Sequence, residues 1–230
     1  CTYCVSGEKR FYKRLRFRSP AHVLREIKQA YATIPFPQLL FLDVNATSRP
    51  EVFNEILERM LAEGFEHLDL IVQNRVDDLQ ESTCRLLAKF NGVLLWFGIE
   101  SASPRMLEFI NKGTNLAEAK KAVALARRYN LKIGANALIG VPTETDEDLE
   151  MTFKFIADIR PDRFYCNILS PFPGTKIHAY VKENGLFPDD FDSCERYEIR
   201  NVLEKGFIKG IDYDNIRLWH RIFLSMHFLN

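Results

Sequence analysis

The chain has 230 residues, 47% of them hydrophobic, with 31 basic and 31 acidic side chains. That is enough apolar material for a sizeable core and excludes a disordered chain. The balanced charge removes any global field that would recruit nucleic acid or an anionic membrane surface. No apolar run reaches the length of a transmembrane helix and no secretory leader is visible. The five cysteines, at positions 1, 4, 84, 166 and 194, are odd in number and scattered. This reads as a reducing compartment, the cytoplasm, and not as a disulfide framework.

The chain opens on Cys1-Thr2-Tyr3-Cys4, two cysteines with an aromatic just before the second. Residues 5–18 show little helix or strand pattern and carry Lys9, Arg10, Lys13, Arg14, Arg16 and Arg18. They read as a solvated loop or as a loop facing an anion beside the cysteines. Ser19-Pro20 then starts a helix, Ser as N-cap and Pro at the first helical position, with Val23, Leu24, Ile27 and Tyr31 as its buried stripe. Pro35 and Pro37 end it. Gln38–Val44 is a short apolar run, predicted to be a strand covered on both faces. Pro50 opens a second helix with Phe53, Ile56, Leu57 and Met60 on one side, closed at Gly64.

A strand over 67–72 follows, then a helix over 79–90 with Asp77 and Asp78 as capping candidates. Val93–Ile99 reads as another fully apolar strand, and Ser103-Pro104 repeats the Ser-Pro helix start. Helices are predicted over 116–129 and 146–159, the latter capped by Thr145, and strands over 131–139 and 163–169. A short helix over 176–183 ends at Gly185. Beyond 190 the alternation fades until 215–229, where Ile216, Trp219, Ile222, Phe223 and Met226 recur at helical spacing as a closing helix.

Strands alternating with amphipathic helices predict right-handed crossovers and a parallel sheet. Five strands are visible, and a first strand is expected just upstream of Cys1. The fold class is therefore α/β: a partial, open (β/α)6 TIM-like barrel lacking its first strand, with a core over 1–185 and a helical extension over 186–230.

In such sheets the chemistry gathers at the carboxyl ends of the strands. Those ends hold Asp43-Val44-Asn45, Gln73-Asn74-Arg75, Gly98-Ile99-Glu100-Ser101, Asn136 through Pro142, and Ser170-Pro171-Phe172-Pro173-Gly174. Each supplies polar or turn-forming residues. Some of these must be ordinary caps and turns.

Four stretches, the opening one and three of these strand ends, carry a resemblance. Tyr3-Cys4 looks like the end of a CxxxCx-aromatic-C motif whose first cysteine would lie four residues before Cys1. Gly98-Ile99-Glu100-Ser101, followed by Asn111-Lys112-Gly113, resembles the fourth-strand signature of radical S-adenosylmethionine (radical SAM) proteins. Residues 139–145 (IGVPTET) resemble the fifth-strand motif, and 171–175 (PFPGT) the sixth-strand turn. Their order and placement are most similar to the branch containing cobalamin-dependent radical SAM enzymes, the anaerobic porphyrin cyclase and oxygen-independent coproporphyrinogen oxidase.

The resemblance implies a 4Fe–4S cluster with Cys1 and Cys4 as ligands, thiolates being the usual ligands of such clusters. S-adenosylmethionine would take the remaining iron. Lys112 matches the basic residue that faces the methionine carboxylate, where relatives often have Arg. Glu100 and Asn136 match ribose-binding positions. Tyr3, Leu138 and Ile139 match the adenine surroundings. No catalytic residue is identified. A small-molecule substrate, a reductase or flavodoxin-type electron donor and no nucleic acid follow as expected partners. Cobalamin, where one is used, would sit in an upstream domain.

Other readings of the same residues stay open. Cys1 and Cys4 alone would also suit a thioredoxin-type pair or half of a zinc site. Lys112 would also suit a surface helix end, and Asn136 a strand amide satisfied by its neighbours. Cys84, Cys166 and Cys194 read as ordinary buried or half-buried residues. Two functions are therefore carried forward: the core of a radical SAM enzyme, and a non-catalytic barrel of the same descent that binds a ligand or partner.

Overall fold

The computed structural model describes residues 1–7, 16–189 and 206–226. Most of the basic loop and Cys194 lie outside the described residues; Arg16 and Arg18 are exposed.

Helix α1 (Pro20–Thr33) leads into β1 (Gln38–Phe41), α2 (Pro50–Ala62), β2 (Asp69–Asn74), α3 (Glu81–Leu87) and β3 (Gly92–Glu100). Then come α4 (Pro104–Phe109), α5 (Leu116–Arg128), β4 (Lys132–Ile139), α6 (Asp146–Ile159), β5 (Arg163–Ile168), α7 (Lys176–Glu183) and α8 (Tyr213–Ser225). The starts follow local chemistry. Ser19 and Ser103 accept from backbone N–H groups in the first turns of α1 and α4, each with Pro in the first turn. Asn115 with Glu118, and Thr145 with Asp148, close reciprocal capping boxes on α5 and α6. Asp77 and Asp78 do not cap α3. Its N-cap is Gln80, without a side-chain cap bond, because Asp77 is taken by Arg75 and Asp78 by Asn45.

The five strands form one parallel sheet in the order β1-β2-β3-β4-β5. One face carries the core. Leu70, Val72, Leu95, Phe97, Ile133 and Ala135 are essentially closed to solvent and pack with residues from α1, α2, α3, α5 and α6. Ile216 and Phe223 of α8 join the same core, with the Phe223 ring stacked on Phe164 of β5 at 5.8 Å. A second cluster at the carboxyl end of β4 gathers Met106, Ile110, Leu138, Val141, Ile177 and Val181, with Tyr3 packed against it.

Among the described residues no helix covers the opposite face, and this corrects the expectation for β1. The strand stops at Phe41, and Leu40, Leu42 and Val44 are 44%, 76% and 67% exposed. Phe41 meets Phe53 of α2 on the helix side, so its neighbour Leu40 points the other way, into an open cavity. The same holds for Leu94 and Trp96 within the apolar run of β3.

Candidate functional site

The Cys1–Cys4 segment is a single turn, closed by Cys4 N donating to Cys1 O at 3.4 Å. Two backbone bonds hold it over the second cluster. Thr2 N donates to Ile110 O at 2.8 Å, and Thr2 O accepts from Ile177 N at 2.9 Å. The turn is thus seated between the end of α4 and the start of α7. Both thiols remain partly exposed, and the main-chain nitrogen of Cys1 lies within the electrostatic reach of Lys112, Arg75 and Lys176.

Tyr3 faces the end of β3. Its hydroxyl donates to the Glu100 carboxylate, and its pKa is pushed well up, first by burial and then by that negative charge. Glu100 also meets Lys112, with Nζ 3.4 Å from Oε1. Both residues are only 8% exposed, so Lys112 is no surface lysine. Two backbone features make the meeting possible. Glu100 sits at φ 69°, in the left-handed region that a long side chain rarely occupies, where the β3–β4 register slips between Gly98 and Glu100. A bulge of this kind re-aims a side chain. Gly98 leaves the room, since a Cβ there would come 2.5 Å from Glu100 Oε1 and 2.9 Å from Lys112 Nζ.

The residues behind the pair explain why the strain persists. Arg75, at the end of β2, donates through both terminal nitrogens to Lys112 O at 3.3 Å and is itself held by Asp77 at 2.8 and 3.0 Å. On the helix side, Thr152 of α6 accepts from Ala102 N at 3.0 Å and meets Ser101 Oγ at 3.2 Å. Asp148 accepts from Ser103 Oγ at 2.6 Å and pairs with Arg105. The turn leaving β3 is therefore fixed from both sides. Sequence reasoning placed Arg75 at a strand end but gave it no role, and it missed Thr152 and Asp148. The signal for the last two was only a polar residue on the inner face of an amphipathic helix.

The remaining predicted residues divide. Leu138 points into the second cluster, on which Tyr3 also packs. Ile139 has no exposed surface and belongs to the helix-facing core, so only its backbone is on offer to a ligand. Asn136 pairs in register with Gly98, one step below Glu100, and its Oδ1 accepts from the Trp96 indole N–H at 2.7 Å. Beyond β4, Glu144 closes the loop by accepting from Gly140 N at 2.7 Å and Val141 N at 3.3 Å. Burial pushes its carboxyl up to about 8.

Residues 1–156 match the family described as the Radical SAM superfamily. The chain belongs to the radical SAM superfamily. An uncharacterized methyltransferase of Pyrococcus horikoshii is 32% identical over 81% of this chain and 40% of its own length. The anaerobic magnesium-protoporphyrin IX monomethyl ester cyclase of Cereibacter sphaeroides is 26% identical over 80% of this chain and 30% of its own. The radical S-adenosylmethionine methyltransferase TsrM of Kitasatospora setae, solved with cobalamin and a 4Fe–4S cluster, superposes with a TM-score of 0.65 at 19% identity, over 73% of this chain and 32% of that one. The radical SAM chain thus spans well under half the length of these relatives.

Membership implies a 4Fe–4S cluster and S-adenosylmethionine as cofactors, and the residues can be tested against both. Among the described residues, no three His, Cys, Asp or Glu side chains gather where a metal ion could be held. Cys84 and Cys166 are buried, with burial raising both thiols, Cys84 to about 11. Neither suits a ligand. Cys1 and Cys4 fit: two partly exposed thiols on one fixed turn, beside a buried Glu100–Lys112 pair able to meet a polar ligand. Among the described residues, no helix is long and apolar enough to cross a membrane.

Proposed function

We propose that this chain is the catalytic core of an enzyme that cleaves S-adenosylmethionine reductively and uses the resulting radical to modify a small-molecule substrate. The observation that carries the reading is the contact chain Tyr3–Glu100–Lys112 beside the Cys1–Cys4 turn. Cys1 and Cys4, with a third thiolate, would hold the cluster. When bound, the cluster supplies the electron that breaks the sulfonium bond, giving methionine and a 5′-deoxyadenosyl radical; the protein's part is to bind, orient and exclude water.

Lys112 binds the methionine carboxylate. Its ammonium has three donors, so it can keep Glu100 while taking a second carboxylate. Arg75 holds the Lys112 backbone in place for this. Glu100 accepts from ribose hydroxyls, and Asn136, whose Oδ1 is engaged by Trp96, offers its amide N–H groups. Tyr3 and Leu138 supply apolar walls for the adenine, with Ile139 contributing backbone. The barrel core over 1–185 does this work, and within the extension over 186–230 helix α8 packs against it. A reductase or flavodoxin-type donor supplies electrons, cobalamin, where one is used, would be held by an upstream domain, and the enzyme works in the cytoplasm. The enzymatic names of the relatives weigh against a barrel that only binds.

The test uses the full-length protein, purified without oxygen and reconstituted with iron and sulfide. It should show the brown absorption of a 4Fe–4S cluster, and Cys4→Ala should lose it. A Cys4→Ala protein that keeps its full iron content would overturn the assignment.

A further inference from the structure

The face of the sheet away from the helices lines an open cavity of about 850 Å³. Trp96 of β3 lies in it, held on three sides. Its ring rests on the backbone of Gly134, where a Cβ would come 2.0 Å from Cε3 and 2.5 Å from Cζ3. Its indole N–H is taken by Asn136 at 2.7 Å. Tyr165 of β5, itself 61% exposed, packs beside it with centroids 5.0 Å apart and planes tilted by 40°. The ring is therefore laid flat on the sheet, and its remaining face looks into the cavity. Tyr165 is exposed and Trp96 half-buried, and neither joins the core, whose packing lies on the other side of the sheet.

We propose that Trp96 is a stacking shelf for a planar conjugated ring, so that the substrate is an aromatic or heteroaromatic compound and not a flexible aliphatic one. The inference rests on the proposed function above in placing the substrate in this cavity. Charge does not argue for another class. The charged lining side chains, Asp69, Lys132, Asp162 and Arg163, are two of each sign and sit at the starts of strands. At the level of the shelf the lining is amide: Gln73 pairs in register with Trp96, and Asn136 with Tyr165. Amides can donate to or accept from ring heteroatoms and exocyclic groups without demanding charge. Asn136 also ties the shelf to the cofactor residues, since it stands opposite Gly98 between Trp96 and Glu100.

The experiment is calorimetric titration of the full-length protein with protoporphyrin IX, indole and the saturated control cyclohexanol, with S-adenosylmethionine titrated separately. At least one conjugated ring should bind the parent saturably, and cyclohexanol at least about fivefold more weakly, as expected for loss of aromatic stacking. Trp96→Leu should weaken ring binding by a similar factor, and Trp96→Phe should restore most of it. Gly134→Ala, which lifts the indole from β4, serves as a second variant should Trp96→Leu melt early. Parent protein that binds neither ring, cyclohexanol that binds as well, or variants that bind like the parent would each overturn the shelf. Ring binding that depends on Trp96 in a protein unable to bind S-adenosylmethionine would sink the proposed enzyme and leave the shelf standing.

Discussion

The two faces of this sheet are built from the same strands and behave as opposites. In β2 and β3, alternate residues are closed against helices while the intervening ones, including Ile71, Gln73, Leu94 and Trp96, remain partly open to the cavity. On the helix side the alternation buys stability through burial. On the cavity side it places apolar, aromatic and amide groups where a ligand can reach them. The residue chemistry of the two faces overlaps, so hydrophobicity alone does not say which one is core; the covering helices decide.

The largest effect that separates the faces should come from truncating one aromatic on each. Phe97 is fully buried on the helix side. Phe97→Ala should cost about 3–5 kcal/mol, the usual range for a large aromatic removed from a packed core. Tyr165→Ala on the cavity side removes a ring that is mostly in solvent and should change stability by under about 1 kcal/mol. Denaturant unfolding of both variants measures this. Comparable losses would mean that the cavity face is structural after all.

A second effect, somewhat smaller, tests the boundary between the faces. The sequence suggests that strand-end polar groups lie outside the core, so that Glu100→Ala would be nearly silent in stability. The structure says otherwise, because Glu100 and Lys112 are buried together. Glu100→Ala leaves the Lys112 ammonium without its carboxylate, and breaking a buried pair costs roughly 3 kcal/mol or more. Glu100→Gln with Lys112→Met removes both charges and should recover most of the loss while still failing to bind S-adenosylmethionine. If Glu100→Ala melts with the parent, the buried pair is not present in solution.

The alternation of strands and helices was legible from period and caps. Ser19, Ser103 and Thr145 announce helix starts by chemistry that acts within four residues. What reached across the sheet was not legible. The apolar run over 38–44 gave no sign that Leu42 and Val44 would stay exposed, because that depends on what covers them. The proximity of Tyr3, Glu100 and Lys112 came only from a resemblance. The role of Arg75 had no sequence signal, and Thr152 showed only as a polar residue on an inner helix face, since each acts through a backbone group that any residue could supply. The Trp96–Asn136 bond links adjacent strands 40 residues apart and needed the register to be seen.

The smallest predicted effect concerns pH and lies at the rim of the cofactor site. Glu144 closes the loop after β4 through Gly140 N and Val141 N. Its carboxyl is raised from 4.5 to about 8, burial outweighing the two hydrogen bonds that favour the anion. A raised acid holds its proton in the folded state over a range where the unfolded chain has released it. Stability should therefore be fullest below pH 4.5 with respect to this group, and fall as pH rises through the window up to about 8. Glu144→Gln keeps an oxygen acceptor for both backbone donors and removes the titration. It should flatten the decline in Tm between pH 5 and 8.5 relative to the parent while leaving the fold intact. Asp148, on the adjoining turn, is held below its ordinary value by Ser103, Thr145 and Arg105, despite the opposing effect of burial. Its shift runs the opposite way and therefore does not contribute to a decline with rising pH. A Glu144→Gln protein with the parent's full pH slope would place the proton elsewhere and make the loop closure a matter of the anion alone.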